Sequence, residues 1–117
     1  MTLPRCVLVT TTIDQPAAAA RLAEQVLTAR LAACVQTLPI RSRYWWKGKL
    51  ETARETLLLF KTRTALAAAL EAFIRDHHSY EVPEITVLPI TGGHPPYLRW
   101  VGAETRGPAR RPRAARA

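Results

Sequence analysis

Two adjacent histidines, His77 and His78, are the strongest local chemical feature of the sequence. They stand where an amphipathic helix should end, and an imidazole there interacts favourably with the helix dipole when charged and can ligate a metal when neutral. A metal site needs three or four ligands. Cys34, Glu81, His94 or another subunit must therefore supply the rest. Capping and packing at the helix end is the alternative that the residues alone favour.

Cys6 and Cys34 are the only cysteines. Two thiols in a chain without a recognisable export signal are predicted to stay reduced rather than paired. Neither lies in a C-x-x-C pair, which excludes zinc-ribbon, iron–sulfur and thioredoxin-type sites. No apolar run approaches the roughly 18 residues of a membrane span. We therefore expect a cytoplasmic protein with no membrane partner.

The sequence contains no recognisable catalytic motif. Its five glycines form neither a P-loop nor a dinucleotide fingerprint, and there is no G-x-S-x-G elbow. Glu81 and Glu84 form the only close carboxylate pair outside the helices and the hairpin, and acid–base chemistry would need one of them desolvated in a cleft. The position of Glu84 after Pro83 favours a structural role, in hydrogen bonds to turn amides or in ion pairs with Arg41, Arg43 or Lys61. We predict a protein that is not an enzyme.

Tyr44, Trp45 and Trp46 form an aromatic cluster. Because side chains alternate along a strand, three consecutive rings cannot all face one core, and one must point elsewhere. A subunit interface is the favoured destination, since Trp and Tyr are enriched at interface centres. A surface that stacks nucleic-acid bases is the weaker alternative.

The net charge of +8 is concentrated at the C-terminus. Residues 105–117 hold five of the 17 basic residues and no acid, so residues 1–104 carry 12 basic residues against 9 acidic ones. This terminal segment is too polar to bury a core and is predicted to be a disordered basic tail. A functionless extension is favoured over weak attraction to polyanions, so nucleic acid is not the expected partner.

The remaining sequence predicts a single domain over residues 1–104. We expect a strand at 5–12, a helix at 16–33 capped by Asp14, and a hairpin of strands 34–46 and 50–62 around a turn at 47–49. A helix at 65–77 capped by Thr64, a strand at 84–90 and a short closing element at 97–104 follow. Pro39 calls for a bulge, a bend or an edge position.

The order β-α-β-β-α-β describes an α+β fold, a ferredoxin-like split β-α-β sandwich. One face of such a sheet carries no helix, and a large apolar face needs a cover. The hairpin arms of about 13 residues exceed the usual strand length of about 5 to 6 residues. They should project beyond the sheet and pair between subunits.

Five segments together resemble one protein family. They are RLAACV (30–35), YWWKGKL (44–50), LLLFKTR (57–63), HSYEVPEI (78–85) and YLRWV (97–101). In order and spacing they are similar to the CutA-type divalent-cation tolerance proteins, over about residues 5–104. The resemblance implies a homotrimer shaped like the PII signalling proteins, with no established enzymatic activity and with binding of Cu(II) or another divalent cation.

The resemblance also implies a site. His77 and His78 match the metal-binding histidines of some members, and Cys34 is the cysteine of the LAAC motif. Some members carry a further cysteine where this sequence has Thr10, which weakens a Cu(I) preference because soft thiolates favour that ion. Lys47 and Ser79 replace a usual Glu and Pro.

Two functions follow from the resemblance. The first is a trimeric divalent metal-ion (copper) tolerance or response protein. The second is a PII-like signalling or scaffold trimer that binds a small ligand or partner protein in clefts between subunits. The residues expected at this cleft or interface are Tyr44, Trp45, Trp46, Tyr80, Glu84 and Trp100.

Overall fold

Four strands form one antiparallel sheet in the computed structural model, which describes residues 2–105. They are β1 (Cys6–Ile13), β2 (Cys34–Trp46), β3 (Lys49–Arg63) and β4 (Ile85–Ile90), in the spatial order β2-β3-β1-β4. The helices are α1 (Pro16–Thr28), α2 (Ala67–His77) and α3 (Pro95–Glu104). The ferredoxin-like α+β fold predicted from the sequence is confirmed. None of these three helices has both the length and the apolar character needed to span a membrane.

The main core lies between the sheet and helices α1 and α2. Val9 of β1 pairs with Phe60 of β3, and both are fully buried beneath Leu22 of α1 and Leu70 of α2. Period-two alternation in the strands and helical spacing in α1 and α2 place these apolar side chains on the facing surfaces. Burial of each large apolar side chain stabilises the fold by about 1.5–3 kcal/mol.

The opposite face of the sheet carries a second set of apolar side chains. Directly paired residues share a face, and the register places Leu8 beside Leu88 and Leu57 beside Leu38 on the side away from α1 and α2. Leu38 and Leu88 remain 42% and 46% exposed. Helix α3 covers only one end of this face, where Leu98 and Val101 pack on Cys6. The rest is called the open sheet face below.

The hairpin of β2 and β3 extends well past β1. Ile13, the last residue of β1, pairs with Thr56, so the stretch from Lys49 to Glu55 has only β2 as a neighbour. Lys47 (φ 51°) and Gly48 (φ 79°) make the turn, and two successive positive φ angles define the tight type I′ hairpin. Pairing runs without interruption through Pro39. The edge position was thus the correct alternative, and no bulge forms there.

Several predicted element ends were wrong. Helix α1 stops at Thr28 rather than at residue 33, because Arg30 adopts a left-handed φ of 60°. The Leu31 amide then bonds to the Val26 carbonyl at 3.2 Å and the Arg30 amide to Leu27 at 3.0 Å, a Schellman termination.

The two predicted caps are also absent. Gln15, not Asp14, occupies the N-cap position of α1 and makes no side-chain hydrogen bond to the helix. Thr64 begins a 3₁₀ turn, Thr64–Leu66, that precedes α2. The predicted disordered basic tail covers residues 105–117, of which 106–117 lie outside the described residues. Thr105, the first residue of the predicted tail, is instead buried, and its carbonyl accepts a hydrogen bond from Arg63 Nε at 2.9 Å.

Candidate functional site

His77 is the last residue of α2 and is exposed. Its Nδ1 lies 2.8 Å from the Phe73 carbonyl oxygen, and its ring stacks on that of Phe73 with centroids 3.9 Å apart. A carbonyl only accepts hydrogen bonds, so Nδ1 is the donor. No hydrogen bond within residues 2–105 uses Nε2, which leaves this nitrogen available to a ligand whenever the ring is neutral.

His78 is held quite differently. Its Nε2 lies 2.7 Å from the Thr12 carbonyl oxygen, and its Nδ1 accepts a hydrogen bond from the Tyr80 amide at 3.1 Å. The two partners together assign the neutral tautomer protonated on Nε2. Both ring nitrogens are therefore occupied, and His78 serves as a clamp between the end of β1 and the loop that follows α2.

Cys34 lies far from this clamp within one chain. It is paired with Lys61, which is paired with Leu8, whereas His78 bonds to Thr12 four residues further along β1. That separation is about 13 Å along the strand. The Cys34 sulfur instead lies 3.6 Å from the hydroxyl of Tyr97. Among residues 2–105, no group of three or more His, Cys, Asp and Glu side chains is placed to hold a metal.

Both cysteines are free thiols. Cys6 is buried in the small cluster beneath α3, and burial raises its pKa while the nearby charge of Arg63 lowers it. A raised pKa keeps the thiol protonated at neutral pH and suppresses its nucleophilicity. Thr10, at the position where some relatives carry a cysteine, touches Thr86 through the two hydroxyls across β1 and β4.

A cleft of about 560 Å³ opens between the projecting hairpin and the loop after α2. Tyr44 and Trp46 line it from β2 because they lie two residues apart and share a face, which is also the face of Glu55. Tyr80, Glu81 and residues 82–84 line the other side. Four of the residues predicted for an inter-subunit cleft, Tyr44, Trp46, Tyr80 and Glu84, line this region.

Glu55 forms the floor of the cleft. Its residue is only 7% exposed, and its Oε2 accepts a hydrogen bond from the hydroxyl of Tyr80 at 2.7 Å. Burial, this hydrogen bond and the negative charge of Glu55 all raise the pKa of Tyr80 above its ordinary value, with smaller contributions from Asp14 and Tyr44. Tyr80 is therefore a protonated donor throughout the physiological range.

The structure brings four of the predicted cleft residues together and leaves two outside. Trp45 points to the opposite face of the hairpin, beside its cross-strand partner Leu50, and is 73% exposed. Trp100 lies on α3, where its ring stands 5.6 Å from that of Tyr97. Glu84 does line the cleft. Its contribution to the fold is its carbonyl, which accepts a hydrogen bond from the Thr11 hydroxyl at 2.7 Å.

Glu55 itself was missed from the sequence. It has the same parity along β3 as Leu57 and Leu59, so a charged residue stands at a position whose neighbours in the strand are apolar and partly buried. That breach of the alternation was the available signal. The second half of the signal, the contact with Tyr80 across 25 residues, is visible only in the folded chain.

The fold and the site together define a small ferredoxin-like α+β protein with a long hairpin, an open sheet face and a cleft lined by acidic and aromatic residues. Residues 7–104 match the family model of the CutA1 divalent ion tolerance protein. The chain belongs to this family.

Individual relatives agree with that assignment. A divalent-cation tolerance protein CutA of Pectobacterium atrosepticum is 43% identical over 106 residues, which cover 88% of this chain and 96% of the relative. The chloroplastic protein CutA 1 of Oryza sativa subsp. japonica is 44% identical over 101 residues, 86% of this chain but only 57% of the rice protein's length. The crystal structure of CutA1 from Oryza sativa superposes with a TM-score of 0.87 at 42% identity, covering 91% of this chain and 98% of that one.

Proposed function

We propose that the protein is a non-enzymatic, homotrimeric divalent-cation tolerance protein that binds Cu(II) or another divalent cation with His77 as its primary ligand. The observation that carries the proposal is the exposed imidazole of His77, whose ring is already oriented by the bond from Nδ1 to the Phe73 carbonyl and whose Nε2 makes no hydrogen bond within residues 2–105. Such orientation of a ligating histidine through its other nitrogen is common in metal sites. Imidazole suits Cu(II) and Zn(II).

The other predicted ligands have secondary roles in this proposal. His78 can ligate only after one of its bonds, to the Thr12 carbonyl or from the Tyr80 amide, has broken. Cys34 is a donor that one copy presents to another, because it lies beside Tyr97 at the end of the sheet covered by α3, far from His77 and His78 of its own chain. A complete ligand set therefore depends on assembly.

The open sheet face supports the assembly. Leu38 and Leu88 are large apolar side chains left half in water, and a contiguous apolar face is normally covered by a partner. A second copy that meets the same face leads to closed symmetry. Three copies is the number that membership of the family suggests. The two free thiols favour a reducing compartment, and we place the protein in the cytoplasm.

Titration of Cu(II) into the chain by calorimetry tests the metal site. We expect His77→Ala to weaken binding about tenfold or more, since one lost ligand is worth more than about 1.4 kcal/mol. Arg75→Ala is the matched control, because Arg75 is also exposed and lies in the last turn of α2, but its guanidinium has no lone pair to offer a metal. Equal affinities of the wild type and His77→Ala would end the proposal.

A second function is favoured by one separate observation, the cleft beneath the hairpin. With about 560 Å³ it has the size of a small-molecule site. We propose as the alternative a signalling or scaffold trimer that takes a small ligand there. Metal binding would then be incidental. A thermal-shift screen separates the two functions, since the first predicts stabilisation by metals alone.

A further inference from the structure

The carboxylate of Glu55 has an unusual environment for a charged group. The residue is 93% buried, and Tyr80 satisfies Oε2. Within residues 2–105, no hydrogen bond reaches Oε1 and no Lys, Arg or His nitrogen lies within 4.0 Å of either oxygen. Burial of a carboxylate is unfavourable unless a cation or several donors compensate it. Oε1 of Glu55 therefore faces the cleft without a protein partner among residues 2–105 and is available to a ligand that donates a hydrogen bond.

The walls above Glu55 are aromatic. Tyr44 and Trp46 stand on the same strand face, and Tyr80 closes the opposite side. The faces of aromatic rings attract cations, most strongly for Trp and when water is excluded. Aromatic walls over a buried carboxylate suit a positively charged organic group that is apolar along its length.

Charge at the mouth agrees with this preference. Glu55, Glu81 and Glu84 line the cleft, against Lys47 as the only basic lining residue. The cleft is thus acidic although the chain has a net charge of +8. An ammonium group already lies at the opening of the cleft, because Nζ of Lys47 is 5.5 Å from the centroid of the Trp46 ring and 4.0 Å from Glu81 Oε1.

We propose that this cleft binds a small organic cation with an ammonium or guanidinium head, which pairs with Glu55 and lies between Tyr80 and the rings of Tyr44 and Trp46. The ammonium group of Lys47 competes for the same acidic side chains at the opening of the cleft and so weakens binding of the ligand. The proposal rests on the second function above, a ligand-binding cleft, and specifies its chemistry. It is independent of the metal site at His77, which lies on α2 and is not among the residues that line the cleft.

Three probes of equal length test the sign of the charge: butylammonium, butanol and butyrate. Titration of each into the full chain is followed by the NMR shift of the Trp46 indole N–H, which reports the site directly. We expect butylammonium to bind, with butanol and butyrate weaker by about tenfold or more, as expected for the loss of a charge-assisted hydrogen bond. If the affinity of butyrate or butanol equals that of butylammonium, the cleft still binds ligands but its proposed preference for cations is wrong.

Variants then test the residues. Glu55→Gln retains an acceptor for Tyr80 and removes the charge, so butylammonium should bind about tenfold more weakly, whereas Glu24→Gln on the outer face of α1 should change nothing. Trp46→Leu, at a partly exposed position that puts folding at little risk, should also weaken binding, measured for this variant by calorimetry because it lacks the indole reporter. Lys47→Ala should strengthen it. Unchanged affinity in Glu55→Gln or weaker binding in Lys47→Ala would refute the proposal. The proposal would also be refuted if Glu55→Gln dissociated the oligomer and the wild type bound no amine. The group that pairs with Glu55 would then be a cation of a second copy of the chain rather than a ligand.

Discussion

Tyr80 donates its phenolic hydrogen to Glu55 Oε2 across 2.7 Å and so joins the loop after α2 to the long hairpin. Glu55 is almost entirely buried, and the bond replaces part of the hydration that its carboxylate loses on folding. The same bond sets the depth of the cleft, because it holds the loop at residues 80–84 against the hairpin face. One contact thus serves both stability and the shape of the site.

Tyr80→Phe tests the energetic part of that role. The variant leaves Glu55 buried without its donor, so we expect the free energy of unfolding at pH 7 to fall by about 1–3 kcal/mol. Urea unfolding followed by circular dichroism measures the change. Tyr44→Phe is the matched control, since the hydroxyl of Tyr44 makes no hydrogen bond within residues 2–105, and it should alter stability by less than about 0.5 kcal/mol. Equal effects of the two substitutions would contradict the assigned role.

Alkaline pH should weaken the fold through two tyrosines. Burial raises the pKa of Tyr80 above its ordinary value of 10.0, aided by the bond to Glu55, and burial with the hydrogen bond to Cys34 raises the pKa of Tyr97 to about 12. The folded state therefore keeps protons that the unfolded state loses. The free energy of unfolding has its full tyrosine contribution below about pH 10 and declines as pH rises through the folded-state pKa values.

Unfolding measured between pH 9 and 12 checks this dependence. Tyr80→Phe and Tyr97→Phe should each make the decline shallower, because each removes one group with a raised pKa. Buried Cys6, whose pKa is also raised, adds a decline of the same sign from about pH 9, and it is retained in both variants. If the free energy of unfolding declines with pH as steeply in both variants as in the wild type, neither tyrosine is responsible for the decline.

The adjacent histidines should separate into two roles. His78→Ala removes the partners of the Thr12 carbonyl and the Tyr80 amide, so unfolding should become easier by about 1–3 kcal/mol. His77→Ala should cost less stability, because its ring is exposed and bonds only to the Phe73 carbonyl, and it should lose more Cu(II) affinity than His78→Ala. Chemical unfolding and calorimetry on both variants check the prediction. It fails if one substitution has the larger effect on both quantities.

The sequence predicted what depends on periodicity and missed what depends on packing. The apolar, β-branched run of β1 and the helical spacing in α1 located these elements. The odd–even rule anticipated that one of the three adjacent rings would leave the side of the others, and in the structure that ring is Trp45. The end of α1 was missed because its left-handed terminator is Arg30 rather than glycine. The bond between Glu55 and Tyr80 depends on how the loop after α2 meets the hairpin, which no local pattern encodes.

The open sheet face should control assembly. Leu88→Arg places a charge among the apolar side chains around Leu8, so we expect the proposed trimer to dissociate. Leu27→Arg is the control, since Leu27 is comparably exposed, at 37%, but lies on α1. Light scattering after size-exclusion chromatography gives the mass of each. A mass equal to three chains in both variants, or a wild type with the mass of one chain, would count against the open sheet face as the interface between subunits.

The hairpin turn offers a separate test of backbone conformation. Gly48 has a φ of 79°, and a Cβ added there would meet no atom within 4 Å, so Gly48→Ala isolates the conformational penalty from any clash. A left-handed alanine is disfavoured by roughly 1–2 kcal/mol, and we expect a loss of stability of that size together with broadened signals from Trp46 and Lys49. Gly92→Ala is matched to it, since Gly92 also has open space but no left-handed φ. There the smaller entropy of the unfolded chain should leave stability unchanged or raise it by up to about 1 kcal/mol. If the two variants unfold alike, the type I′ turn does not determine the hairpin's stability.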